Sequence, residues 1–148
     1  MVQLKLIMRS LSGMEGQKIG WDDPVPDSVK MEFMTLVQQL YDLKSLRFPR
    51  AVVPSFSIEG LKPRLVAFGD GSQTAYCALV YICWQHPCGE KFCRLVAGKT
   101  RVAPLKKISV PRLELMGALL STRLMTSVQQ SLGFDLSARY FLTDSAAV

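Results

Sequence analysis

Three acidic residues stand where acids do chemistry. Asp70 closes the apolar run "RLVAFGD" (64–70), Glu114 lies in "RLELMGALL" (112–120), and Asp144 follows "RYFLT" (139–143). Each has an ordinary alternative role. Asp70 suits a turn in "GDGS", Glu114 suits a first helical turn through the helix dipole, and Asp144 suits a cap on the next element. Brought together, three carboxylates repel: two unit charges about 4 Å apart cost roughly 4 kcal/mol at an effective dielectric near 20. Such a cluster must hold a proton or bind a cation, and hard oxygen donors suit Mg²⁺ or Mn²⁺. A pair of such ions clamps a phosphate and activates a water, which is the chemistry of phosphodiester hydrolysis.

That chemistry requires elements that carry the acids to one place. "RLVAFGD" (64–70), "AYCALVYICWQ" (75–85) and "KFCRLVAGKT" (91–100) read as three strands of an antiparallel meander joined by short turns. The middle strand is expected to be too apolar for exposure on either face. A basic loop (101–111) leads into a helix, with Pro111 in its first turn and Leu113, Met116, Leu120, Leu124 and Val128 along one face. Gly133 ends it, and "ARYFLTD" (138–144) is a fourth strand. A strand reached through a helix runs parallel to its partner, so a fourth strand beside the first puts Asp70 and Asp144 at the same sheet edge. Val66, Phe68 and Asp70 share one face by alternation, as do Tyr140, Leu142 and Asp144. A helix packed on that face would bring Glu114 there, and the small Gly117 and Ala118 permit close approach.

The upstream part reads as a helical segment, 1–50, followed by a Pro-rich linker, 51–62, and a main domain, 63–148. Residues 1–20 are weakly patterned. "GWDDPVPDS" (20–28) is a turn-rich break, after which Asp27 or Ser28 caps a helix with Val29, Phe33, Leu36, Val37, Leu40 and Leu43 at helical spacing.

At 148 residues with 49% hydrophobic content the chain supports one cored domain with a lead-in. A net charge of +6 favours an anionic partner, most simply nucleic acid. The cations concentrate in the stretch carrying Lys99, Arg101, Lys106, Lys107 and Arg112, which could equally be a solvated loop or a contact to a phosphate backbone. No run of 18 apolar residues suggests a membrane span, and no signal-peptide core is visible, so an intracellular location is expected. Cys77, Cys83, Cys88 and Cys93 are then expected as thiols. With His86 they raise zinc, but no Cys-x-x-Cys pair exists. "DGS" (70–72) reverses the order of the aspartic-peptidase motif, and "WDDP" (21–24) lacks the hairpin of a polymerase acid pair.

"FGDGSQTAYCALVYI", "GKTRVAPLKKISVPRLELMGALL" and "FLTDSAAV" closely resemble the ribonuclease H-like region of Bel/Pao-type LTR retrotransposon polyproteins. "IGWDDPVPDSVKMEFMTLVQQL" and "LRFPRAV" resemble the connection that precedes it, downstream of the reverse transcriptase. The resemblance implies an α/β fold with a ribonuclease H-like mixed sheet: three antiparallel strands, a helix and a parallel fourth strand. It implies hydrolysis of the RNA strand of RNA–DNA hybrids with two Mg²⁺ or Mn²⁺ ions. The family's metal-binding acids fall on Asp70, Glu114 and Asp144. It also implies the rest of the retroelement polyprotein as partner, and a cytoplasmic particle or the nucleus as location. The family pattern continues into a further helix, a fifth strand and a fourth carboxylate, so the domain is expected to be incomplete and weak or inactive alone. The alternatives are a non-catalytic nucleic-acid-binding remnant, a transcribed fragment with no function of its own, and an aspartic peptidase, as the family's other label suggests. Where relatives show Ser-Asp-Ala-Ser this chain has Gly69-Asp70-Gly71-Ser72, whose glycines are expected to loosen the loop.

Overall fold

A computed structural model describes residues 2–11 and 19–145. The chain divides into two compact units, Met1–Pro49 and Arg50–Val148. The weakly patterned residues 12–18 and the last three residues of "FLTDSAAV" lie outside the described residues.

In the first unit α1 (Val2–Leu11) and α2 (Asp27–Asp42) pack together, and a single 3-10 turn (Leu43–Ser45) follows. Helix α1 was not expected from the sequence. Lys5 and Arg9 interrupt the apolar run, yet four residues apart they share one face. Leu4, Ile7 and Leu11 keep the other, with Ile7 buried. Neither Asp27 nor Ser28 caps α2. Pro26 holds the cap position with no side-chain bond, and Asp27 already lies in the first turn. Of the expected apolar stripe only Leu36 is buried, while Phe33, Leu40 and Leu43 are exposed.

The second unit contains β1 (Arg64–Gly71), β2 (Ala75–Gln85), β3 (Lys91–Val102), α3 (Val110–Leu132) and β4 (Ala138–Leu142). The sheet order is β3-β2-β1-β4. The first three strands are antiparallel neighbours and β4 runs parallel to β1, which is the expected mixed sheet. Gly133 ends α3 in the left-handed region, φ 67°, as its lack of a Cβ allows.

Helix α3 covers the opposite face of β1 from the one expected. Leu65 and Ala67, with Val80, Ile82 and Trp84 of β2, are buried against Met125 and Val128 of α3. Val66 is only partly covered and Phe68 is exposed. The reason lies in the glycines. Gly69 and Gly71 occupy the same side as Leu65 and Ala67, and only there can a helix backbone come close. For the same reason β2 is not covered on both faces: its even-numbered residues from Tyr76 to Trp84 are buried, and the odd ones between them are half-buried. On α3, Gly117, Ser121 and Met125 join Leu113, Leu120 and Val128 in the buried stripe. Met116 and Leu124 lie at its margin.

The Pro-rich stretch before β1 has no regular secondary structure, but it is held against the second unit. Val52, Val53, Phe56, Ile58 and Leu61 pack on the core. The buried Trp84 donates its indole N–H to the Val52 carbonyl at 2.8 Å and meets the Phe134 ring edge-on. Beside it, the Ser137 N–H bonds the Pro63 carbonyl at 2.9 Å, which sets the start of β4 against the start of β1. No helix among the described residues is long and apolar enough to cross a membrane.

Candidate active site and basic cleft

Asp70 is the penultimate residue of β1, and a tight turn follows it. The Ser72 N–H donates to the Ala75 carbonyl at 2.7 Å, and the Ser72 hydroxyl bonds the same oxygen at 3.0 Å. The Asp70 side chain is exposed, with Oδ1 accepting from the Gly71 N–H at 2.6 Å. Its cross-strand partner is Cys77, whose thiol is pushed up first by burial and then by the Asp70 charge.

The glycines around Asp70 do not loosen a loop, contrary to expectation from the sequence. Both belong to β1 and are pressed against α3. A Cβ on Gly69 would lie 2.8 Å from the Gly117 carbonyl oxygen, and one on Gly71 would lie 2.5 Å from the Leu113 carbonyl carbon. From the helix side, a Cβ on Gly117 would lie 2.6 Å from the Asp70 carbonyl oxygen. Backbone therefore meets backbone, and the helix turn that carries Glu114 is seated directly on the end of β1.

Glu114 lies one residue beyond the first turn of α3, because the helix begins at Val110 rather than Pro111. That weakens the dipole explanation, since the effect fades within the first turn. Its carboxylate is half-buried and accepts a hydrogen bond from the Ser145 hydroxyl. Asp144, the neighbour of Ser145, is exposed and lies past the end of β4, not within it as expected. Pairing of β4 with β1 stops at Phe68 with Leu142, so Asp70 and Asp144 each sit two residues beyond the same rung.

The three acids thus share one edge, but their carboxylates do not converge. Among the described residues no group of three or more His, Cys, Asp or Glu is close enough to hold a metal ion. The same holds for the cysteines and His86. The donor chemistry fits a hard cation; Asp70 and Asp144 are exposed, and Glu114 is half-buried.

The basic residues separate into two sets. Lys106 and Lys107 lie in the exposed stretch between β3 and α3, and Arg112 is exposed in the first turn of α3. Lys99 and Arg101 lie on β3 opposite Ala78 and Tyr76, so they face α3. With Arg123 of α3 they ring a cleft of about 220 Å³ over an apolar floor that includes Tyr76, Met116 and Leu120. None of these three cations has a carboxylate partner among the described residues. Arg123 was missed in the sequence. The available signal was its spacing, since Met116, Leu120, Arg123 and Ser127 fall on one helical stripe beside the core.

No curated protein and no solved structure matches the chain. A family model, described as the Pao retrotransposon-like RNaseH-like domain, matches residues 1–145. With a parallel fourth strand beside the first, and a crossover helix seated on the strand that ends in Asp70, the chain belongs to the Pao retrotransposon-like RNaseH-like domain family.

Proposed function

We propose that this domain serves a retroelement polyprotein by hydrolysing the RNA strand of RNA–DNA hybrids, with Asp70, Glu114 and Asp144 as ligands for Mg²⁺ or Mn²⁺. The observation that carries the reading is the seat of α3 on Gly69 and Gly71, which puts Glu114 at the edge where β1 and β4 deliver the two aspartates. Bound there, a pair of divalent ions would supply charge to offset the phosphate and a means to activate water. The chain's own part is to present oxygen donors from the end of β1, the start of α3 and the stretch after β4. Lys99, Arg101 and Arg123 would hold a phosphate backbone in the cleft, while Lys106, Lys107 and Arg112, on the exposed loop and the helix start, would add further phosphate contacts.

A second reading is a domain that binds nucleic acid without turnover. It is favoured by the three carboxylates standing apart while the basic cleft is already formed. One assay separates the two. Incubated with a labelled RNA–DNA hybrid and Mg²⁺ or Mn²⁺, the wild-type chain cuts the RNA, and Asp70→Asn still binds but no longer cuts. Binding without cutting by the wild type, or equal cutting by Asp70→Asn, would overturn the hydrolytic reading.

A further inference from the structure

On the sheet face away from α3, Arg64, Cys83 and Cys93 stand in one row across β1, β2 and β3. A bulge makes this row. Up to Val80 each β2 residue pairs in a register that would set Cys83 against Arg94. One extra residue in β3, Val96, shifts the pairing from Tyr81 onward and brings Cys93 directly opposite Cys83. Opposed residues on antiparallel strands hold their Cα atoms about 4.5–5.5 Å apart. A disulfide spans about 4.4–6.8 Å. Directly opposed residues of neighbouring strands project from the same face of the sheet, so the two thiols stand side by side there. Both are free thiols, Cys93 exposed and Cys83 half-buried.

The other two cysteines lack this arrangement. Cys77 pairs with Asp70 on one side and Thr100 on the other. Cys88 lies in the β2–β3 turn, 2.7 Å from Nδ1 of His86.

We propose that Cys83 and Cys93 form a reversible redox site, in which a peroxide oxidises the exposed Cys93 and Cys83 closes a disulfide across β2 and β3. In the first step the Cys93 sulfur attacks one oxygen of hydrogen peroxide. The O–O bond breaks, the leaving hydroxide takes up the thiol proton as water, and Cys93 becomes a sulfenic acid. In the second step the Cys83 sulfur attacks the sulfenic sulfur. The S–S bond forms, the S–OH bond breaks, and hydroxide leaves as water with the Cys83 proton. Two thiols lose two electrons and two protons, and one peroxide becomes two waters. The order of attack follows exposure. Burial first, then the neighbouring Cys93 thiol, push the Cys83 thiol up to about 12 against the opposing effect of Arg64. Cys83 therefore waits as the resolving thiol. The product ties the edge strand β3, which carries Lys99 and Arg101, covalently to β2.

The test treats the full chain with hydrogen peroxide, alkylates the remaining thiols after unfolding, and maps the peptides by mass. The wild type is expected to lose two of its four thiols, to drop in mass by two hydrogens and to yield a Cys83–Cys93 linked peptide. Dithiothreitol should restore all four. In Cys83→Ser, Cys93 should halt at the sulfenic acid and be trapped by dimedone, while Cys93→Ser should give neither cross-link nor adduct at Cys83. Four surviving thiols at peroxide levels that oxidise free glutathione would overturn the proposal. So would a cross-link between any other pair or between two chains, or dimedone capture at Cys83 rather than Cys93.

Discussion

Gly117→Ala probes the contact that seats α3 on β1. In a helix interior alanine is favoured over glycine by roughly 1 kcal/mol. Were the contact absent, the variant would gain that much stability. Here the new Cβ would lie 2.6, 2.9 and 3.0 Å from the carbonyl oxygen, carbonyl carbon and nitrogen of Asp70. All three belong to the backbone of a strand paired with β2, so none can swing aside. Ordinary contact begins at 3.4 Å, and the difference from 2.6 Å means that α3 must lift by about 0.8 Å. Overpacking costs roughly 1–3 kcal/mol, and a clash with fixed backbone belongs at the upper end. Set against the helix gain, the net loss is about 2 kcal/mol, or roughly 8–16 °C in Tm for a domain of this size. A urea melt followed by Trp84 fluorescence measures it, since Trp84 is 2% exposed and Trp21, fully exposed at 104%, contributes little change. Glu114 moves with the helix, and a displacement near 1 Å costs roughly 10²-fold in a positioned reaction. A Gly117→Ala chain as stable as the wild type, or more so, would refute the backbone contact and the placement of Glu114 that depends on it.

Neutralising Lys106 and Lys107 together should flatten the log–log salt dependence of hybrid binding by roughly 2, about one unit for each phosphate no longer neutralised. Arg123→Gln should flatten it by about 1, and unchanged slopes would remove these residues from the interface. The Cys83 thiol, raised by burial from 9.0 to about 12, should resist iodoacetamide through pH 10 in the folded chain and react readily in urea. The folded state favours the protonated thiol, so Cys83 supports the fold below pH 9 and loses that support as pH climbs toward 12. A Cys83→Ser chain should show a shallower alkaline decline in a pH-dependent melt. Trp84→Phe removes the 2.8 Å bond to the Val52 carbonyl and should cost about 1–3 kcal/mol, with faster proteolysis between residues 50 and 62.

The strands were legible because apolar runs rich in Val, Ile, Tyr and Phe are bounded by turn residues, and the parallel β4 followed from its being reached through a helical crossover. The face that α3 takes was not. Both alternations of β1 are apolar, Leu65 and Ala67 on one side and Val66 and Phe68 on the other. The deciding residues, Gly69 and Gly71, carry no hydrophobic signal, and in a sequence they suggest looseness rather than close packing. The shared edge of Asp70 and Asp144 was legible from topology, whereas Glu114 reaches it on a helix packed on the other sheet face, and the end of β4 at Leu142 depends on where pairing stops, which is a tertiary fact. Helix α1 was hidden by two cations that share a face. The facing of Cys83 and Cys93 could not be read at all, because it rests on a bulge that shifts one strand by a single residue.

The parallel pairing of β1 and β4 bears on the order in which the domain is put together. The meander closes locally, with Gly71 against Tyr76 only five residues on, whereas Arg64 meets Ala138 across 74 residues. That is roughly four doublings of loop length, so bringing the chain back to β1 costs about 2 kcal/mol more in chain entropy, a cost met largely by the packing of α3 and not by β4. The strand has little packing to offset it, for Tyr140, Phe141 and Leu142 remain about half exposed. The meander and α3 can therefore assemble first and β4 dock last, and β4 is the first element to leave. Asp144 travels with it. Its presence at the edge is governed by the opening and closing of a five-residue strand, not by the stability of the domain that carries Asp70 and Glu114.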